Sequence, residues 1–145
     1  LSIFSENNKL YEKGSERSKN IKYALCEDKI ICALIKNPDF YESIHSKIMP
    51  KDFVTSKNKS ILEAVYTLLE KNMQPDLIHL SSMLSEELTG IVSFLLSNCF
   101  GTRFSMNEID DYISNLLEYK THKTQEEVAS MNDDEYRLFF EKIKK

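Results

Sequence analysis

Apolar residues recur at intervals of three and four along nearly the whole chain, and this constrains the fold more than any other feature of the sequence. A 3.6-residue period describes one face of a helix, whereas the strict alternation of a half-buried strand is missing from the long segments. Only three glycines and three prolines occur in 145 residues, so few points break these helices. The pattern predicts an all-α protein: a helical bundle followed by a long helix and a C-terminal helical hairpin.

The opening "LSIFSENNKLYEKGSERSKN" is polar and interrupted by Gly14. Residues 1–20 are therefore expected to be a linker with at most a weak helix. Residues 21–36 carry the first strong helix, with Ile30, Ile31, Leu34 and Ile35 inward. Asn37 is placed to cap and Pro38 to open a second helix reaching about residue 48, since proline suits the first helical position. Pro50 fixes "MPKDF" as a loop, with Phe53 plugging the core. Residues 55–72 predict a third helix whose wide apolar face holds Ile61, Leu62, Val65, Tyr66, Leu68 and Leu69. Pro75 and Asp76 restart the chain into a short helix through "LIHLSSML". Ser85 caps the next one, with Glu86 and Glu87 where the helix dipole favours them and Leu88, Ile91, Val92 and Leu95 inward. Gly101 supplies its stop.

The last long helix has the best-defined start. In "SMNE", Ser105 and Glu108 are spaced for a reciprocal capping box, and Ile109, Tyr112, Ile113, Leu116 and Leu117 then fall at i, i+3, i+4, i+7 and i+8. The same stripe runs on into Lys120, Lys123, Thr124 and Glu127, which belong in water. The helix can thus continue where the core beneath it stops. "THKTQEEVASM" offers only Val128, Ala129 and Met131 for packing, and "MNDDE" reads as a break with Asn132 or Asp133 as the next cap. The closing "NDDEYRLFFEKIKK" gathers Tyr136, Phe139, Phe140 and Ile143 on one face of a short helix, with Leu138 on a neighbouring face. Residues 21–120 are expected as a bundle and 121–145 as a hairpin. Two fates are open for that apolar face: folding back as the bundle's last helix, or meeting a partner.

What the sequence lacks narrows the function classes. No phosphate-cradling glycine loop, Walker lysine or H-E-x-x-H element occurs. His45, His79 and His122 fall on three different elements with no Cys or carboxylate at ligand spacing, and His79, between Ile78 and Leu80, reads as a half-buried packing residue. Asp110 with Asp111, like Glu126 with Glu127, are adjacent on a helix, about 100 degrees apart, and build no catalytic dyad. Ser105 has no G-x-S-x-G surroundings. Cys26, Cys32 and Cys99 read as free, inert thiols, the first two on different faces of one helix. No catalytic residue, metal ligand or cofactor is expected. Nineteen basic residues scattered among 23 acidic ones, net charge −4, leave no broad footprint for nucleic acid. The longest apolar run, Ile30 to Ile35, is far short of the roughly 20 residues of a membrane span, and the polar start is unlike a signal peptide. A soluble, cytoplasmic protein is the expectation.

With these elements in place, the stretch "CEDKIICALIKNPDFYESIHSKIMPKDFVTSKNKSILEAVYTLLEKNMQPDLIHLSSML" resembles a module shared by two families. These are the C-terminal helicase-binding domain of bacterial replicative primase (DnaG) and the N-terminal domain of replicative helicase (DnaB). The resemblance rests on an acidic-apolar helix ending in "KNPDF", the Phe after an acidic residue in "PKDF", the helix "SILEAVYTLLEKN", and the "PD" opening the next helix. "SEELTGIVSFLLSN" and "SMNEIDDYISNLLEYK", with a single Gly90 and no Tyr-Leu pair, look like the later helices of the primase domain. That resemblance implies a non-catalytic adaptor whose polymerase domain lies upstream, with residues 1–20 as the linker. The bundle would modulate helicase activity, and residues 121–145 would dock on the N-terminal domains of the hexameric helicase, keeping primer synthesis at the replication fork. Tyr136, Leu138, Phe139, Phe140 and Ile143 become the expected partner-binding residues, and the isolated domain is expected to be a monomer. The alternative is the helicase's own N-terminal collar domain, which self-associates and receives primase.

Overall fold

The computed structural model describes residues 16–130, and these are helices and loops with no strand among them. The helices are α1 (Glu16–Lys19), α2 (Ile21–Lys36), α3 (Tyr41–His45), α4 (Ser56–Glu70), α5 (Leu77–Met83), α6 (Glu86–Asn98) and α7 (Met106–Ser130), with 3-10 turns at Pro38–Phe40 and Pro50–Asp52.

Helix α2 is the centre of the bundle, packing against α4, α6 and α7. Its five consecutive residues Ile30, Ile31, Cys32, Ala33 and Leu34 are all buried, so at this level the helix is surrounded rather than laid on a surface. Ile61, Leu62, Val65 and Leu68 of α4, Ile91, Val92 and Leu95 of α6, and Ile109, Ile113 and Leu116 of α7 complete one core. Helix α7 runs antiparallel to α2: Asn115 approaches Cys26 at 3.8 Å, and the Tyr119 ring meets Tyr23 at 4.4 Å between centroids. Phe53 plugs the core beside α4, and the Tyr66 hydroxyl donates to the Ile48 carbonyl at 2.8 Å.

The helix ends obey the local chemistry of the sequence. Asp76 accepts the His79 N–H at 2.9 Å and Ser85 accepts that of Leu88 at 3.2 Å. The Asp76 carboxyl is held below its ordinary value, first by that backbone N–H. Helix α4 closes with Asn72 at φ 58°, while the Met73 N–H bonds the Leu68 carbonyl at 2.9 Å and the Asn72 N–H bonds that of Leu69 at 3.1 Å. This is the double bond of a left-handed helix stop, a conformation asparagine tolerates. At the start of α7 the Glu108 N–H reaches the Ser105 hydroxyl at 3.3 Å, and the Glu108 carboxylate answers to that same hydroxyl at 3.4 Å.

A polar cluster is buried where α2 passes the start of α4. Glu27 and Asn58 are fully buried, and Arg17, Asp28 and Thr55 are nearly so. The Glu27 carboxylate accepts the Val54 N–H, the Thr55 N–H at 3.3 Å, the Thr55 hydroxyl at 2.7 Å and the Asn58 amide at 3.2 Å. Asn58 also donates to Asp28 at 3.0 Å, and Arg17 pairs with Asp28 and donates to the Asn58 carbonyl at 3.4 Å. Burial pushes the Glu27 and Asp28 carboxyls above their ordinary range. The Thr55 hydroxyl chiefly offsets this at Glu27, and the Arg17 charge chiefly at Asp28.

Several expectations change here. Residues 16–20, read as part of the linker, include the helical turn α1, with Arg17 in the buried cluster. Asn37 closes α2, through its N–H to Ala33 at 2.8 Å, rather than opening a long second helix. Pro38 begins a 3-10 turn that leads into a helix of only five residues, because proline starts a tight turn but little holds this stretch in α geometry. Ile35, Leu69, Leu88 and Tyr112 are only partly buried. Leu117 is 39% exposed, so the core stripe of α7 ends at Leu116. The expected break near residue 131 and the second helix of the hairpin lie outside the described residues.

The contrast between neighbours on α7 is testable by urea unfolding. Leu116→Ala is expected to cost about 2–5 kcal/mol as a core truncation, and Leu117→Ala about 1 kcal/mol or less as a surface change. Glu27→Ala strands the donors of Val54, Thr55 and Asn58 and is expected to cost about 1–3 kcal/mol for each donor left without a partner. A midpoint close to wild type would show that the cluster does not hold α2 to α4.

Candidate functional site

The described side chains with chemistry to offer are mostly occupied by structure. Glu27, Asp28 and Asn58 saturate one another and the start of α4. The Cys32 thiol donates to the Leu95 carbonyl at 3.4 Å, and burial pushes both it and Cys26 above the ordinary thiol value, which suppresses the nucleophilic thiolate. His45 packs tilted against Tyr41 and edge-on to Tyr66, at 5.1 and 5.6 Å between centroids. His79 pairs through Nδ1 with Asp76 at 2.7 Å, an exposed end of α5 rather than a site. Asp110 forms an ion pair with Lys47 at 2.6 Å. Among the described residues, no group of three or more His, Cys, Asp or Glu is placed to hold a metal ion.

What remains is surface. One shallow cleft of about 430 Å³ lies where the 3-10 turn and α3 face the end of α4, between Asp39, Tyr41 and Glu42 on one side and Leu69 and Met73 on the other. A second, of about 570 Å³, is ringed by Lys36, Asn37, Gly101, Thr102, Arg103 and Phe104. Neither encloses a ligand, and neither aims a buried polar group at one.

The loop from α6 to α7 borders the second cleft and is firmly built. Lys36, at the end of α2, donates to the carbonyls of Cys99 at 2.9 Å and Thr102 at 2.6 Å, and its ammonium lies 5.8 Å from the centre of the Phe104 ring. The Thr102 N–H closes the turn on the Cys99 carbonyl at 3.0 Å, with Gly101 at φ 80°, where a side chain would be strained. Phe100 projects from this turn 91% exposed, with Arg103 exposed nearby. Sequence reasoning took "NCFGTRF" only as a helix stop. The overlooked signal is a large aromatic off the apolar period, next to a turn glycine.

The expected partner-binding residues Tyr136, Leu138, Phe139, Phe140 and Ile143 lie outside the described residues. Helix α7 carries the chain toward them, running unbroken to Ser130. At 1.5 Å per residue this is roughly 20 Å beyond Leu116.

Among the described residues no helix is long and apolar enough to cross a membrane. A family model described as the DnaB-like helicase N terminal domain matches residues 21–118. No curated protein and no solved structure matches the chain. The matched stretch begins with the first residue of α2, takes in the whole core through Leu116, and spans more than half of the sequence. The chain belongs to the DnaB-like helicase N-terminal domain family.

Proposed function

We propose that the domain is a non-catalytic protein-interaction module of the replicative helicase system. The observation that carries this is the family match over residues 21–118, which covers the core built around α2. The site chemistry agrees with it, since the buried carboxylates, thiols and amides are held in structural bonds and the open features are surface clefts and an exposed aromatic turn.

The family match favours the helicase's own N-terminal collar, a domain that associates with copies of itself and receives the primase. A second reading, the helicase-binding domain of primase, is favoured by the stretch beyond the match. Helix α7 continues past residue 118 to Ser130, and the sequence then returns to an apolar face at Tyr136, Phe139, Phe140 and Ile143, with Leu138 beside it. The single Gly90, with no Tyr-Leu pair after it, points the same way. In this reading residues 121–145 dock on the N-terminal domains of a hexameric helicase. A modest contact repeated around that ring would hold a tethered polymerase near the unwound strands by effective concentration.

Light scattering of residues 1–145, alone and mixed with the replicative helicase of the same cell, separates the two. A collar domain is expected to be a dimer or larger by itself at micromolar concentration. A primase domain is expected to be a monomer that co-elutes with the helicase, and to lose co-elution when truncated after Lys120. In that case Phe139→Ala or Phe140→Ala should weaken binding by about 1–3 kcal/mol, as for buried aromatic anchors. A monomer that does not co-elute would overturn both readings.

A further inference from the structure

The two surface clefts lie at one end of the bundle and have opposite character. Lys36, closing α2, holds the Cys99 and Thr102 carbonyls just past α6, and the turn after α2 faces Leu69 and Met73 at the close of α4. On the α6 side the cleft has two cations, Lys36 and Arg103, and no carboxylate among its lining residues. Phe100 projects from the turn that borders it, 91% exposed. On the α4 side the sign is reversed: Asp39 and Glu42 are exposed, no cation lines the cleft, and Tyr41, Leu69 and Met73 supply apolar surface. A third carboxylate, Glu70, is close enough to join burial in pushing the Tyr41 hydroxyl above its ordinary value. The clefts meet at Asn37 and Pro38, consecutive residues that line one each. Among the described residues, Asp39, Glu42 and Arg103 form no ion pair.

We propose that this end of the domain is an interface with a second copy of the chain, in which the turn carrying Phe100 and Arg103 enters the other copy's cleft at Asp39 and Glu42. The inference rests on the collar reading and names the surface through which the domain meets itself. Each feature has what the other lacks. The receiving cleft, about 430 Å³, has room for an aromatic ring, since a cavity of about 150 Å³ holds benzene, and Met73 can adapt to its shape. The Arg103 guanidinium suits a carboxylate partner, which the rim provides. A chain of net charge −4 repels its own copy, and a local cation beside an exposed aromatic offsets that. Because the entering and receiving features adjoin at Asn37 and Pro38, a twofold axis there makes both contacts at once. Helix α7 runs antiparallel to α2, so Ser130 lies toward the opposite end and the contact leaves it clear.

Light scattering of the full 145-residue chain and of variants at exposed positions tests this. The wild type is expected to be a dimer or larger at micromolar concentration and to dissociate more readily as salt rises. Arg103→Glu sets a carboxylate against Asp39 and Glu42 of the other copy, and Glu42→Arg sets a cation against Arg103. Each is expected to raise the dissociation constant about a hundredfold, the scale of a like-charge contact across an interface. Mixing the two variants puts opposite charges together at both contacts and is expected to restore association, which also shows that both are folded. Phe100→Ala is expected to raise the constant about tenfold or more. A wild-type dimer that persists in both charge variants leaves the collar reading standing and overturns these clefts as its contact. Variants that dissociate and stay apart on mixing overturn the pairing of Arg103 with Glu42. A monomeric wild type removes the collar reading and this interface with it.

Discussion

Glu27 enters the core on α2 and serves there as the acceptor that starts α4. The first N–H groups of any helix need partners, and Thr55 stands at the position whose side chain normally supplies one. Here the Thr55 hydroxyl instead donates to Glu27, and the Glu27 carboxylate also takes the Val54 and Thr55 N–H groups. The cap of one helix is thus built into another. That fixes the register of α2 against α4, since sliding either by one residue would strand three donors and bring a carboxylate against apolar side chains, a penalty far larger than the gain from any one contact. Asn58, one turn into α4, closes the arrangement by serving Glu27 and Asp28 together.

Most of the fold was legible because it rests on local rules. The bounds of α2, the Asp76 and Ser85 caps, the turn at Gly101 and the buried faces of α4 and α6 all come from apolar period and capping chemistry within a few residues of each other. The buried cluster was not legible, because nothing in "CEDKI" distinguishes carboxylates bound for the core from carboxylates on a solvated face. Only the approach of Thr55 and Asn58, some thirty residues away, makes the difference. Arg17 was hidden for the same reason, its partner being a charge on another helix. Leu117 failed in the opposite sense: it lies on the edge of the α7 stripe, and which edge is covered depends on where α2 sits. The exposure of Phe100 was not legible either, because it is a property of a turn held by Lys36 from α2.

The same economy limits what the domain can do chemically. Its polar groups in the core are spent on joining helices, and the Cys26 and Cys32 thiols are pushed by burial away from reactivity. The Cys99–Thr102 turn is clamped from α2, the same helix that carries Glu27, and Phe100 projects from it exposed.

The two proposed roles differ less in the bundle than in what lies beyond it. A collar and an adaptor can share α2 through the first part of α7, because that body needs only to be stable and to orient what leaves it. Helix α7 does the orienting. Its register is fixed against α2 by Asn115 at Cys26 and Tyr119 at Tyr23, and from there the helix continues to Ser130. The direction in which α7 leaves the bundle is therefore set by its packing on α2. Either proposed role would keep the Glu27 cluster and the core, because they hold together the body from which α7 projects.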